Sequence, residues 1–288
     1  MDLNAAYRAS ARVTRREARN FYYAFLSLPG KQRRSIYALY AFCREADDTV
    51  DDASDSGAGA DDVRDALNHL QQRLLAAAAG SPIEPQDAAL ADTIERFGVN
   101  PDDLADVLAG MEMDLTLRRV ETVEDLDQYC YLAASAVGLS TVPILNDGIP
   151  PTDAMREAAI NLGLGMQYVN ILRDVAEDLD RDRIYLPQDV LRKFDVDPQT
   201  LRSRTMTDEL RRALAHHADR ARTLLDRGRQ LLPMLPPHSR SCPWLLAEIY
   251  GRLLAKIVAS NYEVLHTRFS LPKTEKIALL VSTLWRRL

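Results

Sequence analysis

Apolar positions return at helical spacing, three and four residues apart, along almost the whole chain. In SIYALYAFCREADD and the residues after it, Tyr37, Tyr40, Arg44, Asp47 and Asp51 fall on one stripe of a helix. Strictly alternating β-branched runs, the mark of half-buried strands, are missing. The pattern predicts helices over about residues 4–26, 32–53, 61–79, 86–97, 101–118, 123–146, 152–180, 207–231, 241–267 and 273–287. Breakers set their ends: Pro29-Gly30, the ASDSGAGADD loop, Gly80-Ser81-Pro82, Gly98 to Pro101, Asp147 to Pro151, and LPMLPPHSR. No linker is long or polar enough to divide the chain, and no repeat has a fixed period. The expectation is a single all-α domain over residues 1–288, a helical bundle.

Composition narrows the class. The 288 residues are 47% hydrophobic, enough to bury a large core and too apolar for a disordered chain. A net charge of −6 argues against nucleic acid, whose phosphates call for clustered Lys and Arg. Cys43, Cys130 and Cys242 lie far apart with no CxxC or Cys/His spacing, so they are expected as reduced thiols of a cytoplasmic protein. No apolar run approaches the roughly 20 residues of a bilayer span, and the N-terminus lacks an apolar signal core. The C-terminal stretch KTEKIALLVSTLWRRL sets Ile277, Leu280, Val281 and Leu284 along one side, with Arg286 and Arg287 at its end. A last helix packed on the core is the first expectation; peripheral membrane contact for product release is the second. The oligomeric expectation is a monomer or weak homodimer.

Two acidic runs carry the candidate chemistry. In CREADDTVDD, Asp47 and Asp51 are four apart, as are Asp48 and Asp52, so each pair shares a helix face with side chains roughly 5–6 Å apart. Asp48 and Asp52 fall about 100° round from the stripe and are expected nearer solvent. Like charges at this spacing cost a helix a few tenths of a kcal/mol, and more beside an apolar interior unless a cation compensates. Far along the chain, MQYVNILRDVAEDLDRDRIYLP repeats the spacing with Asn170, Asp174 and Asp178, preceded by Gln167. Val169, Ile171, Leu172 and Val175 are its apolar neighbours. Hard oxygen ligands on two helices suit Mg²⁺, which keeps several waters and is completed by phosphate oxygens. The pair of motifs therefore implies a diphosphate substrate. A lone DxxxD is more often a solvated face. Two of them, each with an arginine within a turn (Arg44, Arg173) and aromatics nearby, favour a metal–diphosphate site.

Other residues attract blander readings. His216-His217 point to different helix sides with no third ligand close, so a surface pair is expected rather than a metal site. LRRALAHHADRARTLLDRGR alternates bases with acids and alanines, as a solvated helix face does. Tyr22 and Tyr23 are expected in core packing, and Trp244 and Trp285 in packing or an interface.

Whole segments also carry a resemblance. FYYAFLSLP, YALYAFCREADDTVDD, GMEMDL, YCYLAASAVG and MQYVNILRDVAEDLDRDRIYLPQD are similar to the squalene/phytoene synthase family, the head-to-head prenyl synthases, nearly end to end. The sequence most resembles bacterial presqualene diphosphate and dehydrosqualene synthases, with phytoene synthases next. The resemblance implies an all-α isoprenoid-synthase bundle with a central apolar cavity. It implies Asp47, Asp51, Asn170, Asp174 and Asp178 as ligands of Mg²⁺, with Mn²⁺ as a substitute. Arg44, Tyr129, Arg173 and Tyr185 take catalytic places, and Asn20, Phe21, Phe25, Tyr37, Tyr40, Gln167, Tyr250 and Arg268 surround the substrate. One departure stands out. Relatives usually carry serines where this chain has Ala18 and Asn20; Asn20 can still donate to phosphate, and Ala18 cannot.

The implied reaction ionises an allylic diphosphate, joins the cation to a second prenyl diphosphate through presqualene diphosphate, and rearranges to a linear 1-1′ product. Aromatic faces stabilise such a cation by ~1–2 kcal/mol per ring when dry. Reduction by NADPH gives squalene; proton loss gives dehydrosqualene or phytoene. Phytoene synthases tend to be small where this chain has Phe25, so the sequence expectation is two farnesyl diphosphates, with two geranylgeranyl diphosphates as the alternative.

Overall fold

Helices form along the apolar stripes, and a capping residue starts several of them. In the computed structural model, residues 2–56 and 59–285 are described, without the side chains of 19, 51–56 and 284–285. The order is α1 (Leu3–Glu17), α2 (Arg19–Leu26), α3 (Gly30–Ser56), α4 (Ala60–Ala78), α5 (Asp87–Phe97), α6 (Pro101–Thr116) and α7 (Val123–Cys130). A π turn (Tyr131–Ser135) leads into α8 (Ala136–Leu145). Then come α9 (Asp153–Asp180), α10 (Gln188–Lys193), α11 (Pro198–Arg202), α12 (Asp208–Gly228), α13 (Leu231–Met234), a 3₁₀ turn (Pro237–Ser239), α14 (Ser241–Ala259) and α15 (Lys273–Trp285). Caps explain several starts. Asp2, Asn100, Thr122, Thr152, Asp197 and Thr207 each accept a backbone N–H of the first turn with their side chain. No strand occurs among the described residues; a single parallel bridge joins Arg119 and Ile184.

The long helices α3 and α9 run through the centre. α9 packs against α8, α12 and α14, and α3 against α1, α5, α6 and α8. Glycines permit the closest of these approaches. A Cβ at Gly163 would stand 2.5 Å from the Ser135 Cα in the π turn, and one at Gly228 would stand 2.6 Å from the Leu162 Cα. Any side chain at either position would push α9 off its neighbours.

Four local departures from the expected pattern have physical causes. The helix expected over 4–26 breaks at Ala18, which is 1% exposed and carries no breaker signal; the turn is made by packing. The helix expected to reach residue 267 stops at Ala259, because Asn261 and Tyr262 adopt left-handed conformations (φ 55° and 62°). The segment Val123–Leu145 is long and apolar enough to cross a bilayer, contrary to the sequence expectation, yet it packs between α6 and α9 and carries the π turn. The last helix, α15, packs on α2 and α14 and buries Leu279, leaving Ile277 and Val281 about half exposed; Arg286 and Arg287 lie outside the described residues.

The histidine pair also departs from expectation. His217 is buried, stacks on Tyr168 at 4.5 Å, and shares a hydrogen bond of 3.2 Å with the Tyr168 carbonyl; His216 meets Phe194 at 5.5 Å. Burial, outweighing the carbonyl contact, drives the His217 imidazole down to about 3 from the ordinary 6.5. Between those values the unfolded chain binds a proton that the folded chain refuses. Stability is therefore full above pH 6.5 and falls on acidification, by up to about 1.4 kcal/mol per pH unit. His217→Gln is expected to flatten the unfolding free energy between pH 6.5 and 4 relative to the parent, measured by denaturant titration. Equal slopes for both proteins would remove His217 as the cause.

Candidate active site

One cavity of about 960 Å³ opens between α2, α3, α6, the π turn, α8, α9 and α14. Its polar end is formed where the acidic turns of α3 and α9 face each other. Asp47 and Arg44 come from α3; Gln167, Asn170, Arg173, Asp174 and Asp178 come from α9; all line the cavity. Both helices bury the stripe beside these residues, including Phe42, Ala46 and Val50 on α3 and Val169, Ile171, Leu172 and Val175 on α9. Burying the flanking residues turns the carboxylates inward. Asp48, expected nearer solvent, is as exposed as Asp47 (40% against 43%) and does not line the cavity; Arg44 is paired to both. Asp51 and Asp52 belong to α3, and their side chains lie outside the described residues.

The anionic end is already threaded with guanidinium groups. Arg44 donates to Asp47 at 2.6 Å, and Arg173 donates to both oxygens of Asp174, the first at 2.8 Å. Arg268 reaches Asp174 at 3.4 Å and Glu177 at 2.9 Å. Even so, burial and the Asp174 charge push the Asp178 carboxyl up to about 7. A cation bound beside it would favour the ionised form.

The donor set fits a hard divalent cation completed from outside. Asn170 donates to Gln167 at 3.1 Å, while its own Oδ1 is buried with no partner. An orphaned buried carbonyl oxygen beside carboxylates is the donor such an ion takes. Among the described residues no group of three or more His, Cys, Asp or Glu side chains could hold a metal alone, so diphosphate oxygens and water would fill the remaining places. Arg44 likewise keeps its Nε buried and unpartnered, a donor left for an anion.

Tyrosines edge this end. Tyr129 stacks on Tyr185 at 4.8 Å, and Tyr185 donates to Asp114 at 3.1 Å. Burial holds the hydroxyls of Tyr129, Tyr185 and Tyr250 above the ordinary tyrosine value, so at neutral pH they act as hydrogen-bond donors and not as phenolates. Asn20 and Ala18 both line the cavity, and Asn20 and Asn170 each hydrogen-bond Tyr250.

The remaining wall is apolar. Phe21 and Phe25 stack at 6.1 Å, and Tyr40 meets them at 6.4 and 6.0 Å; all three line the cavity. Tyr37 does not. It lies behind Phe25, sandwiched against Tyr22, because it sits on the flank of the α3 stripe that α2 covers. The small residues Ala133, Ala134, Gly138, Ala159 and Gly163 line the cavity as well.

Several lining residues were not singled out from the sequence: Glu17, Asp114, Glu177, Arg181, Arg183 and Lys276. Asp114 is the aspartate of the GMEMDL segment and Arg183 is two before Tyr185, so both were within reach. Glu17 and Lys276 lie on α1 and α15, and only folding brings them here.

Comparison with known proteins agrees with this geometry. The squalene/phytoene synthase family profile matches residues 14–275. The chain is 35% identical over 291 residues to the 15-cis-phytoene synthase of Synechocystis sp., across 98% of this chain and 85% of that one. It superimposes on a crystal structure of a dehydrosqualene synthase in complex with ligand with a TM-score of 0.87 and 28% identity, across 99% and 97% of the two chains. For squalene synthase HpnC from Alicyclobacillus acidocaldarius the TM-score is 0.84 and the identity 30%, across 91% and 96%. An all-α isoprenoid-synthase fold, two facing acidic helices and an aromatic chamber thus meet a profile match over most of the chain: this protein belongs to the squalene/phytoene synthase family and is one of its prenyltransferases.

Proposed function

We propose that the enzyme condenses two geranylgeranyl diphosphates head-to-head, through a cyclopropyl diphosphate, to phytoene. The observation that carries the condensation is the single chamber in which Asp47, Asn170, Asp174 and Asp178 oppose an aromatic and small-residue wall. The C20 substrate is supported by the phytoene synthase relative and by the chamber's length. Along α9 its lining runs from Asp174 back to Ala159, roughly 22 Å at 1.5 Å per residue. An extended C20 chain is of similar length.

Phe25 favours the second reading, two farnesyl diphosphates, and was the ground for expecting them from sequence. The geometry weakens that argument. Phe25 meets α3 at Tyr37 and Tyr40, while the lining continues past it to Ile36 and to Leu145. Gln32, one turn before Ile36, donates to the Ile144 carbonyl at 3.0 Å, so Ile36 and Leu145 close the same apolar end. In the C20 reading Phe25 narrows the side of the chamber rather than plugging it, since Ile36 and Leu145 share the lining.

In this reading Mg²⁺ or Mn²⁺, held by Asp47, Asp51, Asn170, Asp174 and Asp178, supplies Lewis-acid neutralisation of the leaving diphosphate. Arg44, Arg173 and Arg268 take diphosphate oxygens through charge-assisted hydrogen bonds. Neutral Tyr250 donates to the same oxygens, while the Tyr129 hydroxyl bonds Tyr185, whose own proton is held by Asp114. Phe21, Phe25 and Tyr40 present ring faces to the allylic cation and keep water away. NADPH enters only if the linear product is squalene.

The test is product analysis of the pure protein with Mg²⁺ and either substrate, with and without NADPH. A linear C40 hydrocarbon from the C20 diphosphate, independent of NADPH, is expected, and Phe25→Ala is expected to leave the C20 preference in place. Turnover of the C15 substrate alone, or a Phe25→Ala switch from C15 to C20, would overturn the chain-length assignment.

A further inference from the structure

A second pocket, of about 450 Å³, lies on the other side of the segment that follows α9. Its floor is apolar: Leu179, Ile184, Leu191, Val196 and Leu201. Its rim carries four arginines (119, 192, 202 and 204) against one carboxylate, Asp182. Arg119 is committed to Asp182 at 2.5 Å, Arg204 to Asp180, and Arg192 loosely to Glu121 at 3.7 Å. Arg202 has no hydrogen-bond or ion-pair partner among the described residues. Gln188, also in the lining, keeps its side-chain Nε2 buried and without a partner. A buried amide donor left unmet costs about 1–3 kcal/mol, and an acceptor in the pocket removes that cost.

The segment 181–185 separates this pocket from the catalytic cavity. Arg181, Arg183 and Tyr185 line the cavity, whereas Asp182 and Ile184 line the second pocket. Arg181 and Asp182 form the turn that ends α9, with Asp182 left-handed (φ 54°), and beyond it Arg183, Ile184 and Tyr185 alternate between the two sides as extended backbone does. The segment is held from one side by the bond from the Ile184 N–H to the Arg118 carbonyl at 2.9 Å. An occupant on the outer face would therefore touch the same few residues that carry Tyr185 and Arg183.

We propose that this pocket is a second ligand site, for a small organic phosphate whose apolar group fills the floor. Planar guanidinium forks match phosphate oxygens, Gln188 adds a neutral donor, and the five aliphatic side chains exclude a purely inorganic ion as the best fit.

The test is calorimetric titration of the whole chain with hexyl phosphate in EDTA, which leaves the acidic cavity without metal. Saturable binding is expected, at least tenfold weaker for Arg202→Glu and several-fold weaker for inorganic phosphate. Arg202→Gln, with its melting temperature measured, guards against misfolding of the charge reversal and is expected to weaken binding in the same direction. No saturable binding, equal affinity in the parent and both Arg202 variants, or a requirement for Mg²⁺ would overturn the proposal. So would capture on phosphatidate vesicles without binding of soluble hexyl phosphate.

Discussion

Asp174→Asn is expected to lower turnover about 10³-fold, roughly 4 kcal/mol of transition-state stabilisation, with helicity unchanged. Asp174 stands where three demands meet. It holds Arg173 in a two-pronged pair, it is reached by Arg268, and its charge is one cause of the raised Asp178 carboxyl. The amide keeps the shape and removes the charge. Arg173 then loses its anchor, and the opposed acidic faces lose a ligand for any cation that receives the diphosphate. Asp178 also loses a repelling neighbour, so its affinity for protons falls. Asp47→Asn is expected to act likewise from α3. Initial rates with circular dichroism on the same samples provide the check; near-normal turnover in both variants would remove the assignment of this cluster as the ionisation site.

The largest effect on stability is expected at Arg73, far from the substrate. Arg73 is 3% exposed on α4. It donates to both oxygens of Asp87 at 3.0 and 2.7 Å, and to both oxygens of Glu45 at 2.5 and 3.1 Å. Asp87 is buried to 4% and Glu45 is 39% exposed, so the cost of breaking the network falls mainly on Asp87. Arg73→Ala leaves that carboxylate buried without a countercharge, with only the Glu84 N–H at 3.2 Å still donating to it, and is expected to cost about 3–5 kcal/mol. In a chain of this size that amounts to a fall of roughly 6–15 °C in melting temperature. Replacing both partners with apolar residues, Arg73→Met with Asp87→Leu, is expected to recover much of the loss, since no charge is then stranded. A single-variant cost below about 1 kcal/mol would show that water reaches Asp87. The network also bears on catalysis. Glu45 lies between Arg44 and Asp47 on α3, so Arg73 ties the acidic turn of that helix to α4 and α5.

The residues legible in the sequence were those whose chemistry repeats locally. DxxxD on α3 and NxxxDxxxD on α9 declare a shared face through helical spacing alone, and the apolar stripes beside them say that the face turns inward. The break at Ala18, the π turn and the left-handed Asn261 and Tyr262 carry no such mark, because packing imposes them. His217 was read as a surface residue from its polar surroundings, but α12 turns that face against Tyr168.

Helix period and polar spacing, both properties of neighbours within one or two turns, were enough to determine an all-helical chain with two acidic faces. Whether those faces meet depends on contacts between residues far apart in the chain. Only the tertiary structure placed Glu17, Asp114 and Lys276 on the cavity, moved Tyr37 behind Phe25, and put Ile36 and Leu145 in the same lining as Phe25. The cause is close packing: a side chain's surroundings are set by the helices that cross it, and crossings such as that of Gly163 on Ser135 are decided by shape complementarity that no local pattern encodes.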